Sequence, residues 1–220
     1  DNEQYQDQDR LAGLPVDALH DAGKVDYDQF SQEVRLASPT GQFLEYVVGA
    51  YLYHGESQEA YQRRLVTLGD SQSARGKFSA TNDSYALFGE STLNFTDDWR
   101  GIVGLRFTRD ELEYDHQRVS SSPLTLRSMR PSFASSGSHS DTGVSGRLGL
   151  QHDVNDNLTG YVTYSRGYKG PAYNVYFQMY ELDTQALDPE TSNSWEIGLK
   201  STALDQRLTA NLALFRSDYD

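Results

Sequence analysis

The chain has 220 residues, of which 37% are hydrophobic and 12% aromatic, and it has no cysteine, which excludes disulfides and thiolate sites. Its formal net charge of -13 argues against a nucleic-acid partner, because phosphate binding needs a concentrated basic surface. No hydrophobic run approaches the ~20 residues of a transmembrane helix. A transmembrane β-barrel remains open, because its strands need an apolar side chain only at every second position.

Hydrophobic residues recur with period two, which is typical of β-strands. In the first hairpin Phe30, Val34 and Leu36 alternate with polar residues, and after a turn over residues 38–41 the strand 43–53 follows. Tyr, Thr, Val and Phe favour such strands, whereas Gly, Asn and Asp favour the turns between them. Three more hairpins follow the same plan, over residues 85–113, 144–165 and 195–215.

The predicted strands are ~10 residues or longer, sufficient to cross a bilayer at the ~45° tilt of a barrel strand. Short turns near Asp97, Asp156 and Asp205 alternate with long polar connections. Those connections are predicted at residues 1–25, 55–80, 114–140 and 169–191. Short turns on one side and long loops on the other are typical of outer-membrane barrels. The pattern predicts an all-β fold, an antiparallel transmembrane β-barrel segment of about eight long strands in four hairpins.

Charged and amide side chains alternate with the apolar positions of these strands. A barrel would direct them into its polar lumen, because Arg or Lys facing lipid near mid-bilayer costs ~2–4 kcal/mol. The alternative is a soluble sheet with one charged, solvated face. The residues predicted to face the lumen are Glu33, Arg35, Glu90, Asn94, Arg106, Arg147, Glu196 and Lys200.

The sequence predicts no catalytic residue, no metal site and no cofactor. The histidines are scattered without metal-ligand spacing; His139, two residues before Asp141, is the nearest approach to one. One predicted loop is rich in serine but has no GxSxG elbow and no oriented base; its serines are Ser120 to Ser122, Ser135, Ser136 and Ser138. The chain is therefore predicted not to be an enzyme.

Several segments resemble TonB-dependent outer-membrane receptors of the siderophore-receptor type. The stretch YVTYSRGYKGPAYN, residues 161–174, is similar to a strand ending in Ser-x-Gly-Tyr-Lys, and DPETSNSWEIGLKS, residues 188–201, is similar to the Pro-Glu strand opening. Residues 207–220, 30–41 and 46–56 resemble further strands of the same barrels.

The resemblance implies a barrel of about 22 strands around a plug, of which this chain would form roughly a third. Residues 1–220 would be a partial β-barrel domain, with the signal peptide, plug domain and C-terminal strands absent from this sequence. It further implies a location in the outer membrane of a Gram-negative bacterium, in contact with its lipid. The expected function is energy-coupled import of a scarce ligand such as a ferric siderophore. The energy would come from the inner-membrane TonB complex, acting through the missing plug.

Ligand contacts are expected in the outer loops, where aromatic rings can stack on a ligand and polar groups can orient it. The alternative is that these rings pack within their own loop or belong to the aromatic girdle at the outer membrane interface. The candidates are Tyr168, Lys169, Tyr173, Asn174, Tyr176, Phe177 and Tyr180. Two other functions stay open: a soluble β-sandwich carbohydrate-binding module, and an outer-membrane hydrolase, for which no Ser-His-acid site can be assembled.

Overall fold

The computed structural model describes residues 2–9, 19–67, 70–121, 129–205 and 207–220, which form one nine-stranded antiparallel sheet. Each strand pairs with its neighbours in sequence. The strands are β1 (Asn2–Asp9), β2 (Leu19–Ala37), β3 (Leu44–Thr67), β4 (Asp70–Asn94), β5 (Trp99–Ser120), β6 (Phe133–Asn155), β7 (Leu158–Lys169), β8 (Glu190–Ala203) and β9 (Leu208–Tyr219). The eight predicted strands and their four hairpins are confirmed as β2 to β9.

The register divides the sheet into two faces, because residues directly opposite each other on paired strands share a face. Across β2 to β6, Arg35, Gly49, Phe88, Arg106 and Ser145 form one row of partners. We call this side of the sheet the polar face.

The adjacent row lies on the opposite side, which we call the apolar face. It consists of Val34, Ala50, Leu87, Phe107 and Val144. Leu87 is 65% exposed and Phe107 53% exposed, so no other part of the described chain covers them. A large exposed apolar surface of this kind marks a face that meets lipid or a partner.

Two predicted loops are strands instead. Residues 55–67 and 70–80 extend β3 and β4, and residues 114–120 and 133–140 extend β5 and β6. The prediction failed because apolar alternation stops there. On the outward side of β5, Phe107 is followed by Arg109, Glu111 and Glu113, while the backbone ladder, which needs no particular side chain, continues.

The predicted loop at residues 1–25 is also wrong in part. Residues 2–9 form β1, and residues 19–25 belong to β2. Composition misled here, because Asp, Asn and Gln favour turns although this segment pairs with β2 through eight consecutive partners. The predicted connection after Lys169 is confirmed as the loop 170–189, which includes a short 3-10 turn at Glu181–Asp183.

Candidate functional site

All eight residues predicted to face a lumen lie on the polar face. Glu90 and Arg147 meet across Gly104, which stands between them in the same row of partners. The Arg147 guanidinium donates from Nε to Glu90 Oε2 and from Nη2 to Glu90 Oε1, each at 2.7 Å. A Cβ on Gly104 would lie 3.1 Å from Glu90 Oε2, so the missing side chain leaves room for this bidentate pair.

Arginine and aromatic side chains alternate next to this ion pair. The Arg106 guanidinium carbon lies 5.2 Å from the ring centre of Tyr51 and 5.7 Å from that of Phe88. Arg35 approaches the same Phe88 ring at 5.8 Å and pairs with Glu33. Cation–π contacts at these distances are attractive.

The remaining predicted residues also have partners on the polar face. Tyr161 donates its hydroxyl proton to Glu196 Oε1 at 2.6 Å, and Lys200 Nζ lies 5.2 Å from the same tyrosine ring. Asn94 Nδ2 donates to the Gln42 carbonyl oxygen at 2.7 Å. The eight predicted residues are therefore held by ion pairs, hydrogen bonds and cation–π contacts.

The loop 170–189, which we call the tyrosine loop, docks against the upper part of the polar face. Its Phe177 side chain is 6% exposed and packs with Ala74, Phe78 and Met129 in the buried cluster of the described chain. The Phe177 ring centre lies 4.6 Å from that of Tyr61. A Cβ on Gly76 would lie 3.0 Å from the Phe177 ring, so this glycine permits the close approach.

Arg118 of β5 holds the backbone of the tyrosine loop. Its side chain is 2% exposed, and Nη1 donates to the carbonyl oxygens of Phe177 at 2.6 Å and Met179 at 2.9 Å. Nε donates to the Pro131 carbonyl oxygen at 3.0 Å. A cation this deeply buried is stable only when its donors are satisfied. One arginine thus joins β5, the segment before β6 and the tyrosine loop.

His116 supports the same loop. It is fully buried, and its Nε2 lies 3.1 Å from the Tyr176 carbonyl oxygen. The ring lies between those of Phe78 and Phe133, with ring centres 5.6 and 5.7 Å away. His116 and Arg118 thus both contact carbonyl oxygens of the tyrosine loop.

The predicted ligand residues of the tyrosine loop differ in accessibility. Phe177 lies in the buried cluster, Tyr173 packs on Tyr114 with ring centres 4.5 Å apart, and Asn174 is exposed. Tyr176 donates its hydroxyl proton to Asp183 Oδ2 at 2.9 Å, while Arg130 covers the Tyr180 ring at 3.5 Å.

Burial raises the pKa of the Tyr173 hydroxyl. Burial and the hydrogen bond to Asp183 raise that of Tyr176. Both phenols therefore stay protonated and can donate hydrogen bonds at neutral pH.

Tyr168 and Lys169 lie just before the loop. The Tyr168 hydroxyl is 3.2 Å from Asp110 Oδ2 and 3.1 Å from Asp141 Oδ2, so its proton can be donated to either carboxylate. Asp110 and Asp141 are direct partners on β5 and β6. Lys169 is exposed and pairs with Glu190 at 3.1 Å. Tyr168 therefore binds a pair of carboxylates on neighbouring strands, whereas the Lys169 side chain is accessible to solvent.

Sequence reasoning missed Asp110, His116 and Arg118 as residues of this region. They fall on alternate positions of β5, but they lie in a stretch where both faces are polar, so alternation carried no signal. Their role depends on contacts with residues about 60 positions away.

Among the described residues, no group of three or more His, Cys, Asp or Glu side chains could hold a metal ion. Nor does this part of the chain contain a helix long and apolar enough to cross a membrane. The arrangement offers rings, amides and paired charges, which suit reversible binding of a polar aromatic ligand.

The sequence model of the family described as "TonB dependent receptor-like, beta-barrel" matches residues 2–220. Over 136 residues, 61% of this chain, the sequence is 29% identical to the "Probable TonB-dependent receptor BfrD" of Bordetella pertussis. Over 148 residues, 67% of the chain, it is 26% identical to the "Ferric-pyoverdine 358 receptor" of Pseudomonas putida. The aligned parts of the chain span only about a sixth of the two relatives, 17% and 16% of their lengths.

Two solved structures share the fold. The ferric yersiniabactin uptake receptor FyuA from Yersinia pestis superposes with a TM-score of 0.76 at 21% identity, covering 93% of this chain and 30% of that one. The copper transporter OprC gives a TM-score of 0.70 at 18% identity, covering 97% of this chain and 33% of that one. The fold is thus that of a stretch of barrel wall, and the barrel is not closed by this chain.

Proposed function

The chain belongs to the TonB-dependent receptor family, and from this premise we propose that it forms part of the wall of an outer-membrane barrel that imports a ferric siderophore or a similar scarce nutrient. The observation that carries the proposal is the pair of opposed faces. One long sheet has an uncovered apolar face on one side and a paired, charged face on the other. A transmembrane barrel needs both, since lipid covers the outside and water or a plug fills the lumen.

Along β5, the outward side chains change from apolar to charged, as expected at the surface of a membrane. On β5 its outward side chains are Val103, Leu105 and Phe107, and the next outward residues are Arg109 and Glu111, which pair with each other at 2.7 Å. Arg or Lys near the bilayer centre would cost ~2–4 kcal/mol, falling to ~0–1 near the interface. We therefore put the outer boundary of the hydrocarbon between Phe107 and Arg109.

A soluble β-sandwich does not fit these observations. A sandwich buries one face of each sheet against the other, whereas the described residues form a single sheet whose Leu214 is 67% exposed and whose Ile197 is 59% exposed. The relatives named as ferric-pyoverdine and ferric yersiniabactin receptors support a transport role over a carbohydrate-binding one. The family is one of transport receptors, and we assign no catalytic group.

The tyrosine loop is the part of this chain that we propose to contact the ligand. Asn174 and Lys169 are exposed, and the Tyr173 ring is partly open beside Tyr114. These groups offer a stacking surface, an amide and a cation within one loop and its stem. Phe177 and Tyr180 contribute by holding the loop, since Phe177 lies in the buried cluster and Arg130 covers Tyr180.

Energy coupling belongs to parts of the protein beyond this chain. We propose that the inner-membrane TonB complex acts on a plug enclosed by the wall, and that the charged pairs of the polar face line the space around that plug. Glu90 and Arg147, each about half exposed in the described chain, are the pair best placed to exchange partners with it.

The test uses the full-length receptor, expressed in a bacterial strain without its own siderophore receptors. Cells are given iron-55 as ferric complexes of a hydroxamate, a catecholate and a mixed-ligand siderophore. We expect one class to be taken up, and uptake to stop when the proton gradient is collapsed or TonB is deleted. Absence of energised uptake for every complex would contradict import of a ferric siderophore, and recovery of the protein in the soluble fraction would contradict the outer-membrane barrel.

A further inference from the structure

His116 is a fully buried titratable group that contacts the backbone of the tyrosine loop. Its ring lies between Phe78 of β4 and Phe133 of β6, and Nε2 lies 3.1 Å from the Tyr176 carbonyl oxygen. Since a carbonyl oxygen can only accept a hydrogen bond, Nε2 carries the hydrogen of the neutral ring and donates it. The loop backbone is therefore bonded to the neutral form of His116.

The other ring nitrogen of His116 has no group to bind a second proton. Nδ1 is buried without a hydrogen-bond partner among the residues that the structure describes. In the neutral ring Nδ1 is an acceptor, and protonation would turn it into a donor that faces no acceptor. Protonation would also place a positive charge in the buried cluster, which is costly without a partner. The docked loop therefore disfavours the protonated ring.

The basic residues near His116 add to this effect. Arg118 is two residues further along the same face of β5, 2% exposed, and permanently charged. Arg130 is a further cation of this region and covers the Tyr180 ring. Burial of the ring, and next the charge on Arg118, lower the pKa of His116, and the carbonyl oxygens that it contacts oppose this shift only in part.

The acidic residues around His116 do not offset these cations, and none of those described forms an ion pair with it. Asp115 precedes it on β5 but is exposed on the outward side. Glu59 belongs to the same row of partners, with Phe78 between the two side chains. Asp183 accepts hydrogen bonds from within the tyrosine loop. A protonated His116 would thus lack a counter-ion in this part of the chain.

We propose that His116 makes the docking of the tyrosine loop dependent on pH: the neutral ring holds the loop against the polar face, and protonation in a mildly acidic medium releases it. In the released loop the ring meets water, where both nitrogens of the imidazolium can donate. This inference goes beyond the proposed function, because it concerns the loop itself and requires no ligand.

The sign of the pH dependence follows from the two states of the loop. A histidine in water titrates near pH 6.5, whereas the docked state holds the pKa of His116 below its usual value. Docking is therefore fully favoured above about pH 6.5 and weakens as the pH falls below it.

The experiment measures proteolysis of the tyrosine loop in the purified, detergent-solubilised full-length receptor at about pH 7.5 and about pH 5.0. A protease that cleaves after aromatic residues is used, and mass spectrometry identifies the cuts within residues 170–189. A synthetic peptide of the same residues corrects for the pH dependence of the protease itself. When loop opening is fast relative to cleavage, the corrected rate is proportional to the released fraction of the loop.

We expect the corrected rate of the native receptor to rise about 10- to 30-fold between the two pH values, because a group that titrates near pH 6.5 in the released state alone shifts the equilibrium by about that factor. His116→Gln keeps a donor for the Tyr176 carbonyl oxygen but does not titrate, so its two rates should be about equal. A rise of about threefold or less in the native receptor would overturn the proposal, and so would a full rise in His116→Gln.

His139→Gln is the matched control, because His139 lies exposed on the polar face of β6. It should keep the full response, and loss of the response there would also overturn the proposal. His116→Phe, which keeps a ring between Phe78 and Phe133, is a second variant for the case that His116→Gln does not fold. The heat-resistant folded band in gel electrophoresis checks folding. Glu59 remains in both His116 variants, so a response caused by that carboxyl group would persist in them. Since no ligand is used, a failure here is distinguishable from a failure of the transport proposal.

Discussion

Arg118 Nη1 donates a 2.6 Å hydrogen bond to the carbonyl oxygen of Phe177, which lies 59 residues further along the chain. The Phe177 side chain enters the buried cluster while its backbone is held by the arginine. The tyrosine loop is thus fixed by both its backbone and its side chain, and it is a docked part of the wall rather than a free loop.

Replacement of Arg118 by methionine should release the tyrosine loop. Each hydrogen bond from a charged donor contributes ~1.5–3 kcal/mol, and the variant leaves the carbonyl oxygens of Phe177, Met179 and Pro131 without these donors. We expect protease cleavage within residues 170–189 of the full-length receptor to be at least about tenfold faster. Arg216→Met, at a residue 80% exposed, is the control. Equal cleavage rates in all three proteins would show that Arg118 does not hold the loop.

Ligand affinity should depend on the accessible residues near the tyrosine loop. We expect Tyr173→Ala and Asn174→Ala to weaken binding of the transported ferric complex about tenfold each, because they remove a stacking ring and an amide. Leu182→Ala, at a loop residue that is 77% exposed, is the matched control. Equilibrium titration of the receptor with the complex identified by uptake measures the effect. Unchanged affinity in both variants would remove this loop from the ligand site.

The buried ion pair of Arg63 and Asp21 should contribute more to the free energy of unfolding than the exposed pair of Arg216 and Asp218. Arg63 donates to both Asp21 oxygens, at 2.6 and 2.8 Å, with the two side chains 9% and 4% exposed. Removing one member of such a pair leaves a buried charge and costs ~3–5 kcal/mol, whereas a solvent-screened pair at the surface contributes little. Urea unfolding of Arg63→Met and Arg216→Met receptors compares the two. Similar losses of stability would refute the ranking.

Two glycines of the sheet should respond differently to replacement by alanine. A Cβ on Gly146 would lie 2.4 Å from the carbonyl oxygen of Gly104, whereas on Gly160 its nearest neighbour would be Leu199 Cδ2 at 3.5 Å. Gly146→Ala should destabilise the receptor by ~1–3 kcal/mol through overpacking. Gly160→Ala should be neutral or slightly stabilising, since glycine is unfavourable inside strands. The temperature at which the folded gel band disappears reports both, and a lower temperature for Gly160→Ala would contradict the assignment.

Period-two alternation predicted the part of the fold where one face is apolar. The row containing Val34, Leu87 and Phe107 was visible in the sequence because its neighbours are polar. Beyond Phe107 on β5, and at the same level of the neighbouring strands, both faces carry polar residues. For this reason the sequence predicts a loop at residues 55–67, where the structure continues strand β3. The alternation of apolar and polar side chains shows which face of a strand is apolar, but it does not show where the backbone hydrogen bonds of the strand end.

The candidate site could be predicted only in part for a related reason. Alternation placed Glu90 and Arg147 on one face correctly, but their contact across Gly104 depends on the register of three strands. The burial of Phe177 and the role of Arg118 depend on long-range docking, for which a single sequence gives no local signal.

The most direct test of the account is a scan of the outward side of β5 in the full-length receptor, reconstituted in a lipid bilayer. The chain has no native cysteine, so single cysteines carrying a nitroxide label are introduced at Val103, Leu105, Phe107, Arg109, Glu111 and Glu113. Power saturation compares the access of oxygen, which concentrates in lipid, with that of a water-soluble nickel chelate. We predict lipid contact at the first three positions and water contact at the last three. Water contact at all six would contradict a membrane-spanning barrel wall.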